Sequence, residues 1–154
     1  MALTRAEKEF HRKTAVQAFN EAWELLDMKV RSAQDDRRML HLVHVSRYHW
    51  GLVGNPGNIA VADWQISRAY ASLGQADLSL RFAKSCLETC EKEGLAEIIH
   101  TAHEAMARAH AVGGDSRSAR KHLEKARALL EKLPLSAEDQ RTYLEQIRET
   151  ESML

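Results

Sequence analysis

The stretch Ser67-Arg-Ala-Tyr-Ala-Ser-Leu-Gly74 returns further along the chain as Ala107-Arg-Ala-His-Ala-Val-Gly-Gly114. Each match falls 40 residues on, as from Arg68 to Arg108 and from Gly74 to Gly114. The echo continues at that offset with small residues at Ser79 and Ala119, with Cys86 and Ala126, and with Glu91-Lys92 against Glu131-Lys132. A fixed offset of this size marks a repeated helical hairpin, because one hairpin cannot bury its apolar face alone and must stack on a copy. Gly74 and Gly114 then fall at tight turns, where a left-handed backbone costs glycine little.

Working outward, apolar spacing and capping signals divide the chain into about seven helices. Thr4 and Glu7 have capping-box spacing, and Phe10, Phe19, Trp23, Leu26 and Val30 follow in one stripe, predicting a helix to about Val30. The second helix carries Met39, Leu42, Val43, Ser46, Trp50 and Val53 on one face and Val45, Tyr48 and Leu52 on the other. A helix apolar on both sides is expected to have neighbours on both. Gly54 stops it, Asn55 caps the next and Pro56 opens it. Helix three is then expected over about 56–72, helix four over about 75–93 and helix five over about 95–112. Asp115 caps helix six, Pro134 ends it, and Ser136 with Asp139 starts a thinly striped seventh helix suited to capping an array. The expected organisation is one all-α domain over 1–154. It comprises an N-terminal hairpin (1–55), two repeats (56–94 and 95–134) and a capping helix (135–154).

The composition agrees with this. The chain has 154 residues, 44% apolar and 29% charged, with 7 Gly and 2 Pro, which suits a folded helical domain better than a strand-rich or disordered one. Lys and Arg balance Asp and Glu at 22 each, so no global positive field favours nucleic acid or an anionic membrane. No apolar run approaches the ~20 residues that span a bilayer, and the charged N-terminus does not read as a signal peptide. Cys86 and Cys90, one turn apart on one helix, are read as reduced thiols in a cytoplasmic protein.

The two copies resemble a tetratricopeptide-like protein. Ser67 with Tyr70 and then Gly74 fit that repeat's small-residue, Tyr and turn-Gly positions. In the second copy Ala107 and Gly114 fit the small-residue and Gly positions, Ala119 with Leu123 fits its later Ala with a bulky residue four on, and Ala126 fits as well. Trp64 sits one place off the pattern's Trp, His110 replaces the second Tyr, and the period is longer. The resemblance covers about residues 60–133. It implies a short right-handed solenoid of antiparallel hairpins, and a noncovalent adaptor that binds a protein or peptide in a concave groove. It also implies that helices three and five line that groove, which places Trp64, Arg68 and Ser72 on one and Glu104, Arg108 and Ala111 on the other. Arg68 and Arg108 would form a two-rung basic ladder for an acidic or carboxylate-bearing ligand, because guanidinium binds carboxylate bidentately. Trp64 would be the apolar anchor and Glu104 the orienting partner. The alternative is that Arg68 pairs with Glu104 inside the array and Trp64 is core.

Two further classes are carried. Eight histidines invite a metal-dependent enzyme or sensor, with His41 and His44 one turn apart and Glu97-x-x-His100 beside His103. A purely structural subunit, pairing as a homodimer through the two-sided second helix or a terminal helix, is the other. No nucleophile elbow or phosphate loop is present, and neither a cofactor nor catalysis is expected.

Overall fold

A computed structural model describes residues 1–154, and every element in it is helical. The seven helices are α1 (Arg5–Leu26), α2 (Ala33–Val53), α3 (Pro56–Ser72), α4 (Ala76–Glu93), α5 (Ile99–Val112), α6 (Ser116–Glu131) and α7 (Ala137–Glu151). Consecutive helices pack as the hairpins α1–α2, α3–α4 and α5–α6, and α7 lies on α5 and α6. The order is that of a solenoid of helical hairpins. No helix is long and apolar enough to cross a membrane.

Local chemistry sets most of the boundaries. Thr4, Ser32 and Asn55 each form reciprocal capping boxes, with Glu7, Asp35 and Asn58, and Pro56 opens α3 where its missing N–H costs nothing. Gly74, Gly94 and Gly114 take positive φ at the ends of α3, α4 and α5, as expected of the two echoed turns.

Two boundaries differ from the apolar pattern. α1 ends at Leu26 rather than about Val30, which is 83% exposed. Arg31 folds back there, donating to the Leu25 carbonyl, Asp36 and Ser72, and so satisfies a helix-end acceptor while fixing the turn. α5 begins at Ile99 rather than about Leu95, because the chain turns through 95–98 after the left-handed Gly94.

Small side chains let the helices approach closely. Ala15, Ala18 and Ala22 face inward on α1, and Ala60, Ala83, Ala102, Ala107, Ala119 and Ala126 are fully buried. α3 and α5 are the inner helices, with every residue of α5 from His100 to Ala109 buried. Several polar groups cross the interfaces in pairs. Asp63, 2% exposed, accepts from Arg47 on α2 at 2.8 Å and from Ser85 on α4 at 2.9 Å. α2 does not have neighbours on both sides. It packs on α1 and α3, with His44 also against Phe82 of α4, and Val45, Tyr48 and Leu52 face outward, because the α1–α2 hairpin ends the stack.

Candidate functional site

The inner faces of α3 and α5 meet α7 at one carboxylate. The Nη2 atoms of Arg68 and Arg108 both donate to Oε2 of Glu149, at 2.8 and 3.3 Å. Arg108 Nε donates to Glu104 Oε1 at 3.0 Å, and the same oxygen accepts from Thr150 Oγ1 at 2.6 Å. Trp64 Nε1 reaches Glu104 Oε2 at 3.4 Å. Thus the four residues named from sequence, Trp64, Arg68, Glu104 and Arg108, belong to one network. The two arginines do form adjacent rungs. Their carboxylate is supplied by the chain's own last helix, and it is Arg108, not Arg68, that pairs with Glu104.

Ser136 caps α7 and Ile147 anchors it in a core with Leu123 and Leu130, which puts Glu149 and Thr150 over the inner helices. Burial works against the Arg108 charge, but the Glu104 and Glu149 carboxylates outweigh it and raise its pKa further. Burial likewise opposes the Glu149 charge, while Arg108 and then Arg68 hold its carboxyl below the usual range. The Nη1 of Arg68 is buried without a partner. Its guanidinium lies 5.3 Å from the centre of the Trp23 ring, which in turn packs 5.3 Å from Trp64.

Beside this network the groove stays open. One cavity of about 520 Å³ lies between α1, α3, the start of α5 and α7, walled by Phe19, Trp23, Val61, Trp64, Ile98 and Tyr143. Asp27, Glu97 and Asp139 stand at its rim, exposed to solvent. A second cavity of about 570 Å³ adjoins it, shares Phe19, Val61, Glu97 and Ile98, and adds Trp50 and the Asn55–Asn58 turn. Neither cavity is lined by Ser, Cys, His or Lys; the polar groups of the first are the Asp27, Glu97 and Asp139 carboxylates, the Thr101, Thr142 and Tyr143 hydroxyls and the Gln146 amide.

The candidate metal ligands are not brought together. His41 and His44 lie on α2 and His100 and His103 on α5, two helices that do not touch. His41 is exposed; His44 bonds the Tyr70 hydroxyl at 2.9 Å. His100 is 2% exposed, with its ring edge on Tyr143, and burial lowers its pKa. His103 lies within hydrogen-bond distance of His122, their Nδ1 atoms 3.0 Å apart. No group of three or more His, Cys, Asp or Glu side chains is placed to hold a metal ion.

Sequence reasoning missed Glu149 and Thr150, and it placed Phe19 and Trp23 on an apolar stripe without assigning them to a cavity. α7 carried the only available signal, a polar helix with a thin apolar stripe docked on an array. The sequence separations of Glu149 from Arg68 and Arg108, 81 and 41 residues, hid the pairing. Compared with known proteins, the chain matches no family model, no curated protein and no solved structure.

Proposed function

We propose that the protein is a noncovalent, cytoplasmic protein- or peptide-binding module, a short tetratricopeptide-like array that works through its inner groove. The observation that carries this reading is the pair of adjoining cavities, floored by Phe19, Val61 and Ile98 and held between four helices. Apolar walls with a few polar groups at the rim are what a recognition groove requires. Rigid helices also present such walls at little entropic cost. The carboxylate preference expected of Arg68 and Arg108 is part of the same reading, with Glu149 as the built-in occupant; an outside carboxylate would compete with the Glu149 side chain for them.

A photo-crosslinking side chain placed at Val61, in the groove, and separately at Arg120, exposed on α6, tests this in cells. Discrete protein adducts from the Val61 position alone are expected. Adducts of equal yield from both positions, or none from Val61, overturn the groove as the binding surface.

A second reading, a self-associating subunit, is favoured by Val45, Tyr48 and Leu52, which lie exposed on one face of α2. Sedimentation of the wild type and Tyr48→Glu separates it. A dimer dissociated by the substitution supports it, and a monomer at every concentration removes it.

A further inference from the structure

We propose that the groove takes a basic peptide segment, with a Lys or Arg side chain entering the cavity between Trp23, Trp64 and Tyr143. This rests on the groove being the binding surface and names the chemistry of its ligand.

The argument begins with charge. Two arginines and two glutamates meet in the network beside the cavity, and they neutralise one another: Arg108 holds Glu104 and Glu149, and Arg68 holds Glu149. Asp27, Glu97 and Asp139 line the cavity and belong to no ion pair, and no Lys, Arg or His lines it. The open part of the groove therefore has an uncompensated negative rim. An acidic ligand would meet three like charges there. A wholly apolar segment would cover carboxylates without giving them a partner, which costs free energy.

The walls suit the same ligand. Indole and phenol faces attract cations through their quadrupole. The chain already makes that contact once, with Arg68 against Trp23 at 5.3 Å. A Lys or Arg side chain combines an apolar stem, which the Phe19, Val61 and Ile98 floor would cover, with a charged head that reaches the rim. The adjoining cavity continues the trough past Trp50 with Glu97 as its one charge, so residues flanking the basic one would be apolar or neutral. Cationic recognition thus falls beside, and not on, the arginine pair.

Panning a displayed random heptapeptide library against the whole chain tests the proposal. The comparison protein carries Asp27→Asn, Glu97→Gln and Asp139→Asn. These are exposed, near-isosteric changes whose effect on folding is checked by helical dichroism and melting. The wild type is expected to enrich Lys and Arg, and the selected peptides to bind the triple variant about tenfold more weakly, from three partly solvated ion pairs. Their binding to the wild type should also weaken with added sodium chloride, a measurement that needs no variant. Enriched peptides without a basic excess, abolished by Val61→Glu, would leave the groove a peptide site and overturn its cationic preference. No enrichment, or binding indifferent to Val61→Glu, would overturn both.

Discussion

Ser67 and Ser79 donate their hydroxyls to each other's backbone carbonyls, at 2.8 and 2.9 Å, across the fully buried contact of α3 with α4. Forty residues on, Ala107 and Ala119 stand at the matching places, both fully buried. One hairpin is therefore bolted by a reciprocal polar pair and the next by contact alone. Replacing Ser67 or Ser79 singly by Ala should cost about 1 kcal/mol each, and the double change less than twice that, because each deletion already weakens the shared pair. Urea unfolding of the three variants measures the coupling. Strict additivity would mean that the two hydroxyls act independently.

The Glu104 and Glu149 carboxylates touch the same arginine but should not be equivalent. Glu104 has a side chain 4% exposed and Glu149 one that is 57% exposed. Glu104→Gln leaves the buried Arg108 with a single, solvated counter-charge and should cost about 3 kcal/mol or more. Glu149→Gln should cost about 1 kcal/mol or less, since water screens that pair. Its signature is instead faster amide exchange over Ala137–Glu151, as α7 loses its ion pairs to the inner helices and keeps the Thr150–Glu104 hydrogen bond and the Ile147 packing. Equal losses from the two substitutions would contradict the burial difference.

Gly113 and Gly114 are neighbours with opposite backbones, at φ −80 and φ +81. Gly114→Ala forces an L side chain into the left-handed region and should destabilise by about 1 kcal/mol. At Gly113 a new Cβ meets nothing closer than 3.4 Å, so Ala there should be neutral or stabilise by about 0.5 kcal/mol by restricting the unfolded chain. Thermal melts decide it, and the opposite order would be incompatible with these dihedrals.

Histidine packing predicts acid sensitivity. Burial, then the neighbouring His103 and His110, Lys125 and Lys121, hold the His122 pKa down to about 4. Burial lowers His44, His49, His100 and His103 as well. The unfolded chain, with histidines near about 6.5, binds these protons more readily than the folded one. Stability is therefore full above about pH 6.5 and falls as the pH drops toward 4. His122→Asn should flatten part of that fall in a series of melting temperatures, and an unchanged slope would remove His122 as a cause.

The hairpin plan was legible because its signals are local. Thr4, Asn55-Pro56, Asp115 and Ser136 announce helix starts by chemistry that acts within one turn. The small residues at 67, 79, 107 and 119 mark helix contacts whatever the partner. Depth was less legible. Periodicity gave Phe19 and Trp23 a face but not whether core or cleft lay beyond it, and it gave α2 two apolar faces without showing that the stack ends there. The site was half legible. Arg68 and Arg108 share a register that the repeat itself dictates, whereas Glu149 lies outside the repeat and reaches them only once α7 has docked.

The chain has three tryptophans, and all of them line the groove: Trp23 and Trp64 in one cavity, Trp50 in the other. Its near-ultraviolet emission therefore reports on a single region. A molecule entering the groove alters the solvent exposure or quenching of those indoles, while events on the α4 and α6 surfaces leave their emission unchanged. The protein carries its own optical gauge of occupancy, readable without a label.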